Sequence, residues 1–308
     1  MTIINHKKTL FSRFITSIFL VSFLCSQAPY TIMHLSTSSR SLSLTNGAAA
    51  FNSPVLSSNP AALSADGLSG GFHHFTYPLD INGNSIHGTY NFANQHLIGV
   101  TITSINYGKF TDSQTENTFS ANDLAMRVGY KSTFRNLISY GISAGFIKSK
   151  ISSYNSSGLV MNAGIRGRML SNRLGMGLSI ENWGKITDQY DHFEESISPD
   201  FRYSLFYKPQ HFPGFLFFDY VKQKHIQDLQ IYGIEITFSS NLQLRLSSSS
   251  ENKYLEWGEV FDEIVSGLSF GIGWSYKKYQ FELASQNLGP AGSIIGFSFN
   301  FTPSTIMD

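Results

Sequence analysis

Charge is the first thing this sequence is short of. Asp, Glu, Lys and Arg make up 14% of its 308 residues, against about 25% in ordinary soluble domains. The 22 Lys and Arg nearly cancel the 21 Asp and Glu. No basic field is left to neutralise a phosphate backbone, which argues against a nucleic-acid partner. Cysteine is almost missing too. Cys25 alone excludes a disulfide scaffold and a thiolate zinc site. After the first thirty residues no apolar run reaches the roughly 18 residues of a membrane helix. What the chain does have is 26 Phe, 15 Tyr, 3 Trp and 26 Gly. A chain this aromatic is not disordered. Aromatics and glycine at low charge suit a membrane β-barrel.

Residues 1–28 read as a signal peptide. His6, Lys7, Lys8 and Arg13 precede the short apolar core FITSIFLVSFL at 14–24. Ser26 and Ala28 then occupy the positions of a cleavage site. Pro29 next to it favours a cut shifted by a residue or two. A lipid anchor on Cys25 and a retained anchor are the alternatives.

Period-two alternation runs through the rest. Phe270, Ile272, Trp274 and Tyr276 alternate with Ser269, Gly271, Gly273 and Ser275. Ile295, Phe297, Phe299 and Phe301 alternate with Gly296, Ser298 and Asn300. Successive strand side chains point to opposite faces, so each strand has one greasy face and one small or polar face. Fourteen such strands are expected between 68 and 301. Tight turns at 94–96, 132–136, 170–172, 239–241 and 277–278 alternate with long loops at 108–120, 149–157, 183–199 and 249–265. Short periplasmic turns, long external loops and an even strand count mark outer-membrane barrels. The expected fold is all-β, a 14-stranded antiparallel transmembrane β-barrel over 67–302 with a short N-terminal plug (hatch) segment over 29–66 and a periplasmic tail at 303–308. A soluble sandwich also alternates, but its outer face would be charged. Here that face is Gly, Ser, Thr and Asn. Tyr77, Tyr107, Trp183, Tyr207, Tyr276 and Tyr279 suit an interfacial girdle.

Residues 29–66 hold no alternating run. Asn59 before Pro60 suits a helix start, Asn as cap and Pro in the first turn. The lumen of a barrel this wide exceeds what its own side chains fill, so this segment can fold back inside it.

Asn59, Pro60 and Ala61, just ahead of the first strand, resemble the plug signature of FadL-like outer-membrane barrels. Within that group the chain resembles the PorV/PorQ proteins of the type IX secretion system, PorQ more closely. The residues that carry this are Ser39-Arg40 with Leu44, SNPAAL at 58–63, INYGKF at 105–110, FSANDLA at 119–125 and FIKSKISSYNSSG at 146–158. The resemblance implies a non-catalytic outer-membrane component that anchors a PorZ-like surface protein or carries secreted cargo. Other FadL-like barrels import hydrophobic small molecules, and that is the competing function.

Catalytic patterns are absent: no G-x-S-x-G, no H-E-x-x-H and no phosphate loop. No enzyme, cofactor or metal site is expected. His73 and His74 are adjacent on a strand, face opposite ways, and read as surface or rim histidines. Acidic loops, one with Asp188, Asp191, Glu194 and Glu195, the other with Glu256, Glu259, Asp262 and Glu263, read as solvated. A cation bridging lipopolysaccharide in the first is the alternative. The expected lumen face carries Arg127, Lys131, Arg166, Arg168, Arg202 and Arg245 against Glu181, Glu235 and Glu282. Buried charges need partners, so cross-barrel pairs and plug contacts are expected, with an anion filter as the alternative. Phe297→Arg should block assembly while Ser298→Arg should be tolerated. Trp183, Tyr190 and Phe193 in one loop, and Tyr254, Trp257 and Phe261 in another, are candidate partner anchors or a lid over the barrel mouth.

Overall fold

The computed structural model describes residues 30–93, 95–111, 116–190, 197–224, 227–250 and 267–303. The expected signal segment lies outside the described residues. So do Asp191, Phe193, Glu194, Glu195, Tyr254, Glu256, Trp257, Glu259, Phe261, Asp262, Glu263 and the end of the expected tail.

The strands are β1 (Leu68–Thr76), β2 (Asn82–Ala93), β3 (His96–Thr111), β4 (Thr118–Phe134), β5 (Ile138–Ile151), β6 (Tyr154–Met169), β7 (Leu174–Asp188), β8 (Asp200–Tyr207), β9 (Gly214–Lys222), β10 (Leu229–Thr237), β11 (Leu242–Ser249), β12 (Ser269–Tyr276), β13 (Tyr279–Asn287) and β14 (Ser293–Phe301). Each pairs antiparallel with its sequence neighbours, and β1 closes on β14. Closure leaves no free edge. One end of the barrel holds the start of β1, the end of β14 and the tight turns; we call it the turn end, and the other the loop end.

The outward face is apolar. Met126, Ile142, Phe146, Ile165, Leu178, Phe218 and Phe297 all stand exposed on it. A belt of this kind requires lipid rather than water around it. Among the described residues no helix is long and apolar enough to cross a membrane; strands make the crossing. Trp183, Tyr207, Tyr276 and Tyr279 point outward. Tyr77 and Tyr107 do not join that girdle: both pack inward against the core, and the Tyr107 hydroxyl donates to Asp123 Oδ2 at 2.8 Å.

Strand length is uneven. β3 has 16 residues and β4 has 17, whereas β8 and β11 have 8 each. The surplus of β3 to β7 lies at the loop end and forms a wall rising on one side. The loop expected at 149–157 is therefore not one. Ile151 pairs with Tyr154 and Lys150 with Asn155, and the ladder runs on into β6. Likewise β7 continues to Asp188, so Trp183 sits on a strand rather than in a loop.

Candidate functional site

The N-terminal segment lies inside the barrel. Its one α-helix, α1 (Ser39–Ser43), is capped by Ser38, whose Oγ accepts from Ser41 N at 3.1 Å. Asn59 caps a 3-10 turn at Pro60–Ala62 by accepting from Ala61 N at 3.0 Å. Ala50 between them, Ala61 and Ala62 in the turn and Leu63 just after it are fully buried.

Lumen-facing glycines make the seat. A Cβ at Gly141 would stand 2.5 Å from the Pro60 carbonyl carbon, and one at Gly129 would stand 2.5 Å from Leu56. Gly164 and Gly177 lie against Asn59, and Gly271 against Ser43. The small residues on the polar strand faces thus leave room for this segment. Its Leu44, Ala48 and Ala50 pack on inward-facing Phe206, Phe215 and Phe217, with Phe51 stacked 4.0 Å from the Phe215 ring.

Two charge networks tie the segment to the wall. In the loop-end half, Arg202 Nε donates to Glu181 Oε1 at 2.7 Å and its Nη1 to Asp219 Oδ2 at 3.1 Å and to Asn46 O at 3.2 Å. Asp219 Oδ2 also accepts from Ala49 N at 3.1 Å, and Ser204 Oγ from Ala50 N at 2.9 Å. In the turn-end half, Glu235 Oε2 accepts from Arg40 of α1 and from Arg245, each at 2.8 Å. Arg245 also pairs with Glu282 at 3.0 Å. Such pairs offset the cost of removing charge from water only when well hydrogen-bonded; Arg202 is bonded at three nitrogens, whereas Arg40 Nη2 and Arg245 Nη1 lack a hydrogen-bond acceptor among the described residues.

Among the described residues, the remaining lumen cations have no acidic partner at ion-pair distance. Arg127 donates to Met33 O and Asn182 Oδ1, each at 3.3 Å. Lys131 donates to Leu63 O at 2.8 Å. Arg166 donates to Asn52 Oδ1 at 2.9 Å, and Arg168 donates to the same oxygen. Lys208, in the turn after β8, lies 4.7 Å from the Phe51 ring. Burial and the nearby Arg168 hold its amine below the usual lysine range.

Sequence reading missed the inward acids Asp123, Asp200 and Asp219, all buried. Parity with Arg127 and Arg202 marks the first two. Asp219 lies on β9, where Phe appears on both faces and parity gives no direction. Asn182 was missed for another reason. It adopts φ 55 within β7, at a bulge that turns both Glu181 and Asn182 inward. The reading of His73 as a rim residue is wrong. It is 0% exposed, and its Nδ1 lies 3.3 Å from Ser39 Oγ and 3.0 Å from Ser298 Oγ. Trp183 faces outward and is exposed, well away from the lumen; Tyr190 is half-buried beyond the end of β7. Among the described residues no group of three or more His, Cys, Asp or Glu could hold a metal ion.

Above the segment, toward the loop end, lies a cavity of about 500 Å³. Met33, Leu35, Leu44 and Leu56 supply its apolar lining from the segment, and Val221, Ile231, Leu288 and Ile294 from the wall. Arg127, Glu181 and Arg202 give it a polar side. Asn162, Asn182 and Asp200 extend that polar side, so polar and apolar lining are comparable, and the cavity can hold a small amphipathic molecule. The wall offers no side door near it at β1 and β2: Gly70, Gly71, Gly83 and Gly88 sit in an unbroken ladder.

No family model and no curated protein matches this chain. Solved structures do. The Pseudomonas putida toluene transporter TodX aligns with a TM-score of 0.52 at 9% identity over 79% of this chain and 92% of its own. The CymD monoaromatic hydrocarbon channel gives 0.59 at 12% over 86% and 97%. A Pseudomonas aeruginosa FadL homologue gives 0.53 at 9% over 86% and 98%. At these identities the likeness is one of fold: the chain has the FadL-like barrel architecture.

Proposed function

We propose that this chain is a non-catalytic outer-membrane transporter of small hydrophobic molecules, with its turn end in the periplasm. The observation that carries the proposal is the cavity of about 500 Å³ between plug segment and wall. It lies in a barrel of the same architecture as a toluene transporter and a monoaromatic hydrocarbon channel. The purified barrel, equilibrated with toluene or a medium-chain fatty acid and freed of excess, should retain the ligand. Leu35→Gln, on the cavity lining, should retain less. No retention above a detergent blank would refute the reading.

A second reading is the type IX scaffold, PorQ-like or PorV-like. The wall raised by β3 to β7 favours it. That wall exposes Phe110 and Tyr154 on its inner face, above the lumen, and Trp183 on its outer face, as anchors for a PorZ-like surface protein or cargo. A gentle-detergent pull-down from native membranes tests it: a stoichiometric surface partner supports the scaffold, and a barrel recovered alone with bound lipid supports the transporter.

A further inference from the structure

We infer that a cationic pocket at the turn end of the lumen, beneath the plug segment, binds an oxyanion group, a phosphate or a carboxylate. The inference is independent of what the outer cavity carries. The pocket measures about 320 Å³ and is lined by Phe51, Arg173, Lys208, Phe215 and Glu235 among others. Behind the Phe51 side of this lining, Asn52 Oδ1 takes hydrogen bonds from both Arg166 and Arg168, and Arg166 also donates to Ser139 Oγ at 3.4 Å. One neutral oxygen thus serves two guanidinium groups. Arg166 is only 2% exposed, and the Nε of each arginine has no partner. Among the described residues Lys131 has the Leu63 carbonyl alone.

The one acid that lines the pocket is already taken. Glu235 holds Arg40 and Arg245 at 2.8 Å each. The electrostatics of the lumen are therefore lopsided. Asp123, Glu181, Asp200 and Asp219 gather toward the loop end, while Lys131, Arg166, Arg168 and Lys208 gather toward the turn end, with no acidic partner at ion-pair distance among the described residues. Buried cations that share neutral acceptors repel one another and keep unused donors. An oxyanion answers both deficits, because its paired oxygens match the guanidinium fork. Of the lining residues, Arg173 and Lys208 are half-buried and Gln210 is exposed, so the site has a route to solvent.

The source of the oxyanion is either a soluble ion or the acidic end of an amphipathic molecule. The test is thermal unfolding of the whole barrel in an uncharged detergent. Sodium orthophosphate, acetate or octanoate is titrated in at an ionic strength held constant with sodium chloride, with octanol as the uncharged control. Saturable stabilisation by an oxyanion is expected, and at least ten-fold weaker apparent affinity in Arg168→Gln and in Lys208→Gln. Response to phosphate or acetate assigns a soluble ion. Response to octanoate, with none to acetate or octanol, assigns an amphipathic acid. The proposal is overturned if no oxyanion acts beyond matched chloride, or if both variants respond as the wild type does. Lys208 stands in an open turn, so its variant still reports if Arg168→Gln does not fold.

Discussion

Gly141 of β5 lies directly beneath the Pro60–Ala61 peptide: a Cβ added there would stand 2.5 Å from the Pro60 carbonyl carbon and 2.6 Å from the Ala61 nitrogen. Backbone cannot yield as a flexible side chain does. Gly141→Val should therefore leave the barrel able to close but lift the Asn59 turn off its seat. Overpacking of this kind costs about 1–3 kcal/mol. Limited proteolysis near residue 59 and the denaturation midpoint would report it. Gly167→Ala is the control, since nothing lies within 4 Å of its added Cβ. Equal behaviour of the two variants would mean that the segment does not rest on the wall.

Arg202 joins Glu181, Asp219 and the backbone of Asn46 in one buried network. Arg202→Met should cost about 3–5 kcal/mol, because two carboxylates lose their cation away from water. Asp219→Asn should cost less, since Arg202 keeps Glu181. Heat or urea unfolding of the two variants gives the comparison, and the reverse order would show that the network does not hold the fold.

Phe297 and Ser298 are neighbours on β14 with opposite environments. Phe297 faces lipid and is 39% exposed, whereas Ser298 is 0% exposed. Phe297→Arg should cost about 2–4 kcal/mol at mid-membrane and impair assembly. Ser298→Arg is not the harmless change that an open lumen suggests. Ser298 Oγ accepts from Ser39 N at 2.8 Å, so arginine there collides with α1. The barrel should still form and show heat-modifiable migration, with the segment released to protease. An intact, protected segment in Ser298→Arg would contradict this packing.

The barrel was legible because lipid on one side and a crowded lumen on the other force strict alternation. Both faces of β12 and β14 read directly from Phe270 to Tyr276 and from Ile295 to Phe301. The signal fails where a strand leaves the membrane. Beyond the bilayer the outward face no longer needs apolar residues, so ISSYNSSG at 151–158 reads as a loop although its backbone pairs as a hairpin. Lumen cations such as Arg166 and Arg245 were legible by parity. Their partners were not, because pairing depends on the fold of residues 30–66, where no period exists. The bulge at Asn182 and the inward turn of His73 onto Ser39 likewise depend on that fill.

On the proposed transport function, small hydrophobic molecules cross a lumen that the plug segment fills, so fixing the segment to the wall should block them. A Cβ at Gly177 would stand 3.2 Å from the Ala50 Cβ, close enough for Ala50→Cys and Gly177→Cys to be bridged by a disulfide. The most direct measurement is uptake of a labelled monoaromatic hydrocarbon by cells that express the double variant, oxidised and then reduced. Uptake above an empty-vector control that falls when the bridge forms and returns when it is broken is the expected result. Uptake equal to the empty vector in the reduced state, or unchanged by oxidation, would contradict the account.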